Sequence, residues 1–122
     1  MRIGDLAHRT GVHRRLLRYY EEQGLLSPAR LVNGYREYSE ADIATVRHIR
    51  AMLAAGLPTA VIGRVLHCVH DTDTGLPVPA DCPAFIEALH HQRTRIADAI
   101  AALQTSQDLL DALLNTAQRR RA

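Results

Sequence analysis

No lysine occurs in the 122 residues, so all 15 Lys-or-Arg side chains are arginine. Two readings of the absence stay open, pressure from a GC-rich genome and selection for phosphate and base contacts, which suit a planar guanidinium. No apolar run approaches the length of a membrane span, which excludes a helix-anchored membrane protein. The opening Met1-Arg2-Ile3-Gly4-Asp5 lacks the apolar core of a signal peptide, so a cytoplasmic location is expected. Two cysteines, Cys68 and Cys82, are too few for a secreted disulfide scaffold. There is no Ser/His/acid arrangement, phosphate loop or carboxylate pair at a catalytic spacing, so an enzyme is not expected. Internal repeats are also missing.

What is present is an ordinary hydrophobic fraction, 47%, which argues against disorder. The length supports one compact domain, or a small domain with an extended element. Dimerisation would help so small a unit bury enough surface. The net charge of +2 conceals an asymmetry. Arg9, Arg14, Arg15, Arg18, Arg30, Arg36, Arg47 and Arg50 crowd the first half, and the second half is acidic until Arg119-Arg120-Arg121. A local basic face on a nearly neutral chain is the footprint of a nucleic-acid binder.

The pattern predicts a mainly α fold. Ile3 to Thr10 reads as a short helix ended by Gly11. Val12 to Gln23 reads as a second, with Val12, Leu16, Leu17 and Tyr20 at helical spacing and Gly24 as its stop. Two short helices joined through a glycine form a helix-turn-helix signature. Tyr20 lies on the apolar face and is read as core. Asn33-Gly34, flanked by β-prone residues, predicts a hairpin with a type I′ turn, that is, a wing. Ser39 with Asp42 caps a third helix that runs through Ile43, Val46, Ile49 and Leu53 to Gly56. Arg47 and Arg50 on it fit either a solvated face or DNA contact. Pro58-Thr59 opens a fourth helix, which His67-Cys68-Val69-His70 ends. Gly75, Pro77, Pro79 and Pro83 make Asp71 to Pro83 a loop.

From Ala84 to Gln118 there is neither glycine nor proline. Ile86, Leu89, Arg93, Ile96, Ile100, Leu103, Gln107, Leu110, Leu114 and Ala117 alternate spacings of three and four, a heptad seam. A lone helix cannot hide such a stripe, so a partner helix, and hence a homodimer, is expected. Arg93 and Gln107 interrupt the seam at a cost in stability and can fix register. The expected organisation is a DNA-binding head over 1–69, a connecting loop over 70–83, a dimerisation helix over 84–118 and a basic tail over 119–122.

The head resembles the MerR family of transcription regulators. The matching residues are Ile3-Gly4-Asp5-Leu6-Ala7, Thr10-Gly11-Val12, Leu17-Arg18-Tyr19-Tyr20-Glu21-Glu22-Gln23-Gly24-Leu25-Leu26, Asn33-Gly34-Tyr35-Arg36-Glu37-Tyr38, Asp42-Ile43, and Ile49-Arg50 followed by Gly56-Leu57-Pro58. The resemblance implies a winged helix-turn-helix with an antiparallel coiled-coil dimer helix. It implies double-stranded promoter DNA as partner, bound at a near-palindromic operator and distorted so that RNA polymerase is served indirectly. It makes the second helix the recognition helix. Arg15 and Arg18 are then candidates for groove and phosphate contacts, Tyr19 for the DNA backbone, and Tyr35 and Arg36 for phosphate at the wing. His13 and Arg14 depart from the small or polar residues common there, and add donors near the groove.

Large-ligand members of the family carry a further C-terminal domain, for which this chain has no room after its helix. Metal-sensing members place one cysteine at the start of the long helix, as Cys82 is, and others beyond it. Thr116 to Ala122 contains no Cys or His. A different set is present: His67, Cys68 and His70 before the loop, Cys82 after it. Three readings stay open for it, namely small buried hydrophobes, a redox disulfide, or a soft divalent metal such as zinc. His90-His91 reads as a solvated pair. The alternative to a regulator is an effector-independent, excisionase-like protein that bends DNA. The long dimer helix counts against it, and so against a coiled-coil module without DNA does the arginine-rich head.

Overall fold

The computed structural model describes residues 1–70, 78–79 and 82–121, with backbone alone at His70, Val78 and Pro79. Five α-helices and two small hairpins make it up: α1 Ile3–Thr10, α2 Arg14–Glu22, β1 Ala29–Arg30, β2 Arg36–Glu37, α3 Glu40–Ala54, α4 Thr59–Val65, a 3-10 turn Leu66–Cys68, β3 Val69–His70, β4 Val78–Pro79, and α5 Pro83–Arg121. The chain divides into two units, Met1–Ala88 and Leu89–Ala122, so α5 starts in the first and provides the second.

Local chemistry sets the helix limits. The Asp5 carboxylate accepts the Arg2 N–H at 3.1 Å, and Asp42 accepts the Ser39 N–H at 2.8 Å, so α1 and α3 start on an acid that also suits the dipole. Both α2 and α3 stop by the same device. Gly24 (φ 75°) and Gly56 (φ 83°) take the left-handed conformation. The next N–H then reaches back: Leu25 to Tyr20 O at 2.8 Å, and Leu57 to Met52 O at 3.1 Å. These bonds satisfy carbonyls the helix end leaves open, and they turn Leu25 and Leu57 into the core.

That core also holds Leu6, Val12, Leu17, Tyr20, Leu26, Tyr38, Val46, Ile49, Met52, Ile62 and Val65, and Phe85 from the first turn of α5. Phe85 is 1% exposed, so the long helix is rooted in the head through it. Burying such a ring stabilises by about 1.5–3 kcal/mol. Tyr20 is core, as its position on the helix requires.

The boundaries differ from the sequence expectation in four places. α2 begins at Arg14 rather than Val12, because Val12 is buried as part of the turn and His13 caps the helix. The wing turn is not type I′. Only Gly34 among Leu31 to Tyr35 has positive φ, while Asn33 stays at negative φ and its Oδ1 accepts the Tyr35 N–H at 3.1 Å. Gly34 N–H donates to Leu31 O at 2.8 Å, which makes a three-residue loop with a glycine bulge. His67, Cys68, Val69 and His70 do not end α4. They form the 3-10 turn and a strand that pairs with β4, Val69 opposite Pro79 and His70 opposite Val78. Proline tolerates this edge position. Of the expected loop, residues 71–77, 80 and 81 lie outside the described residues. Finally α5 runs Pro83–Arg121, so Pro83 opens the helix, where it needs no N–H donor, and Arg119–Arg121 are its last turn rather than a tail.

Gly24→Ala is expected to destabilise the protein by about 1–2 kcal/mol, the strain of a left-handed non-glycine residue. Open space surrounds the position a Cβ would take, so the backbone is the sole cause. Urea unfolding of the two proteins measures it.

Candidate nucleic-acid interface

α2 turns Leu17 and Tyr20 inward, which fixes what it shows to solvent. His13, Arg14, Arg15, Arg18, Tyr19 and Glu22 line one open groove. Residues three and four apart share a helix face, so Arg14 with Arg18 and Arg15 with Tyr19 form adjoining rows. His13 is partly committed: its Nδ1 accepts the Arg15 N–H at 3.1 Å and so caps the helix, leaving Nε2 as the groove-side nitrogen. Arg14 lies over Gly4, where a Cβ would meet its Nη2 at 2.7 Å. Glycine at that position therefore makes room for the guanidinium. Among the described residues no ion pair engages Arg14, Arg15 or Arg18.

The wing is tied to α2 by Glu21, a residue that spacing rules do not reveal. Its Oε2 accepts from Arg36 Nε at 2.6 Å, and its Oε1 lies 3.5 Å from Arg30 Nη2. One carboxylate thus neutralises a cation on each wing strand. Arg30 Nη1 also donates to Gly34 O at 3.2 Å, closing the loop on itself. Arg36, expected to hold phosphate, spends one donor on Glu21 but keeps part of its side chain exposed. Tyr35 is exposed, with the Arg2 guanidinium 4.5 Å above its ring. Behind the wing Tyr38 is buried. Burial, reinforced by Glu21, pushes its phenol pKa up, so it stays neutral. On α3, Arg50 is exposed and Arg47 likewise.

Cys68 and Cys82 meet. Their Cα atoms are 5.8 Å apart and the two sulfurs are bonded. His67 Nε2 lies 3.4 Å from Cys68 Sγ. The His70 side chain lies outside the described residues, and among the described residues no group of three His, Cys, Asp or Glu is placed to hold a metal.

On α5 the seam side chains Ile86, Leu89, Ile96, Ile100, Leu103, Leu110 and Leu114 are all exposed, Leu103 at 70%. Leu109 and Leu113, off the seam, are exposed too and widen the apolar face toward the C-terminus. No helix among the described residues is long and apolar enough to cross a membrane.

The family of the MerR HTH family regulatory protein matches residues 1–67. The chain is 32% identical over 120 residues to the uncharacterised HTH-type transcriptional regulator PA4778 of Pseudomonas aeruginosa, covering 97% of this chain and 86% of that protein. It is 33% identical over 73 residues to the HTH-type transcriptional regulator HmrR of Rhizobium leguminosarum, covering 60% of this chain and only 57% of HmrR. The solved structure of HiNmlR, a MerR family regulator lacking the sensor domain, shares the fold at a TM-score of 0.57 and 23% identity, over 99% of this chain and 92% of that one. The arginine-lined second helix, the tethered wing and these matches lead to one conclusion: the chain belongs to the MerR family of helix-turn-helix transcriptional regulators.

Proposed function

We propose that this chain is a homodimeric regulator that binds a near-palindromic operator in promoter DNA and distorts it. The observation that carries the reading is the groove of Arg14, Arg15 and Arg18 on α2, free of ion pairs among the described residues, beside a wing pinned to the same helix. Arg15 and Arg18 reach into the major groove. His13 and Arg14 add donors at its edge, and Tyr19, Tyr35 and the remaining donors of Arg36 hold phosphate. Pinning the wing to α2 makes head and wing one rigid reader, which favours a DNA shape over a sequence alone. HiNmlR, of the same fold, was solved bound to promoter DNA. The proposed organisation is a head over 1–69, a link after it and a dimer helix from Pro83, in a cytoplasmic protein that contacts RNA polymerase only through the DNA.

The exposed seam of α5 supports a second copy as its partner. Two parallel copies would bring Arg93 against the partner's Arg93. An antiparallel pair instead sets Ile100 against the partner's Leu103 and Arg93 against the partner's Leu110, with the partner's Asp111 beside it. Charge complementarity therefore favours the antiparallel pair. Such a pair separates the two heads, as a palindromic operator requires.

Arg15→Ala and Arg18→Ala are each expected to weaken binding to duplexes selected from a random pool, and to lower the slope of log affinity against log salt by about 1. Fluorescence anisotropy at several salt concentrations reads this. An unchanged slope removes the arginine from the interface. For the dimer, Arg93→Glu is expected to weaken self-association by about tenfold, and adding Asp111→Arg in the same chain to restore it. Sedimentation equilibrium decides, and a failure of the second change to rescue the first sinks the antiparallel register.

A further inference from the structure

We propose that Cys68 and Cys82 are a reversible two-electron oxidation site whose oxidant is a hydroperoxide, and that the bond between them governs how firmly the root of α5 is held to the head. The effect on transcription rests on the DNA-binding reading above; the chemistry does not.

The two thiols are differently equipped. Cys68 closes the 3-10 turn, half-buried against the core, with His67 Nε2 at 3.4 Å from its sulfur. An imidazole nitrogen there can take the thiol proton, which makes Cys68 the attacking thiolate. Cys82 sits just before α5, and its carbonyl accepts the N–H groups of Phe85 at 3.1 Å and Ile86 at 3.2 Å. The positive end of a 39-residue helix favours its thiolate. Both cysteines are only partly buried, as a reactive pair needs. The Cα separation of 5.8 Å lies within the range a disulfide spans without moving the backbone.

The reaction balances. The Cys68 thiolate attacks the terminal peroxide oxygen, the O–O bond breaks, and the departing alkoxide (hydroxide from hydrogen peroxide) takes up a proton as the alcohol (or water). Cys68 is then a sulfenic acid. The Cys82 thiolate attacks the Cys68 sulfur, the S–S bond forms, the S–O bond breaks, and the second oxygen leaves as water with the proton Cys82 gave up. Two thiols lose two electrons and two protons, and one hydroperoxide becomes water and its alcohol, or two waters where it is hydrogen peroxide. A small-molecule dithiol reverses the step by becoming a disulfide itself.

The mechanical result follows from where the bond lies. Closed, it fixes α5 to the head beside the buried Phe85, three residues further on. Open, it leaves that attachment to non-covalent contacts. Two heads held by one dimer helix pair bind an operator best when each root is rigid, because less freedom is lost on binding. The oxidised protein therefore binds the tighter.

The test uses the full chain, reduced with a dithiol and then treated with hydrogen peroxide. Intact mass is expected to fall by two hydrogens per chain and to recover on reduction. Amide exchange over residues 66–69 and 83–88 is expected to slow in the oxidised form, and affinity for selected duplex DNA to rise by about tenfold. Cys68→Ser and Cys82→Ser should each abolish all three responses, with circular dichroism confirming that both still fold. Thiols that survive peroxide, that hold zinc instead, or whose oxidation leaves exchange unchanged overturn the site. Equal DNA affinity in both states overturns its regulatory consequence. A protein that binds no DNA in either state refutes the DNA-binding reading, while mass and exchange still decide the oxidation site.

Discussion

The burial of Leu17 and Tyr20 is the constraint on which the rest of the head depends. α2 has nine residues, and fixing two of them inward leaves no freedom in the direction of the others. Arg14, Arg15, Arg18 and Tyr19 face solvent because of it, and Glu21 falls on the side where the wing returns. The glycine stop at Gly24 acts in the same sense. It ends the helix one turn after Tyr20 and sends Leu25 and Leu26 into the core, so the chain leaves in the direction that lets β1 and β2 come back along α2. A basic face is common on proteins. A basic face whose angle is set by two buried side chains and a glycine stop is a positioning device.

The wing shows how such a device tolerates charge. Two of its arginines share Glu21, so the hairpin's positive charge is partly neutralised and the hairpin is tied to α2. An exposed pair of this kind contributes little to stability, about 0–1 kcal/mol. Its value lies in geometry: it ties both wing strands to α2. Arg36 illustrates the trade. The family resemblance implies phosphate for it, and the structure gives one of its five donors to a carboxylate.

Much of this was legible in the chain because it is local. The stops at Gly11, Gly24 and Gly56, the Ser39–Asp42 cap and the apolar periodicity each act within a few residues, so the pattern betrays them. What escaped is non-local or small. Glu21 and Arg36 are 15 residues apart, and no spacing rule joins them. Phe85 begins a helix whose seam reads as facing a partner, yet it is the one large residue of the first turn that faces the head's own core. His48 is buried on α3 although its chemistry suggests a surface. β3 and β4 are two residues each, too short for alternation to register, and one of them contains a proline. The wing turn was misread because Asn-Gly serves both a two-residue loop and a three-residue one. The choice fell to the Asn33 side chain, which takes the Tyr35 N–H and keeps Asn33 out of the left-handed region.

The long helix poses the opposite problem, since its face is plain in sequence and nothing among the described residues covers it. Seven seam side chains, from Ile86 to Leu114, remain exposed, and Leu109 and Leu113 broaden the stripe beyond what a strict two-stranded seam uses. An apolar area of that extent on a small protein marks an interaction surface. Arg93 within it argues for pairing with an opposite charge rather than with its own copy. The same helix is anchored at its other end by Phe85 and, when oxidised, by Cys82. One element thus carries both the apolar face and the attachment to the head. The cysteine pair sits at the head end of that element, one residue before its first turn.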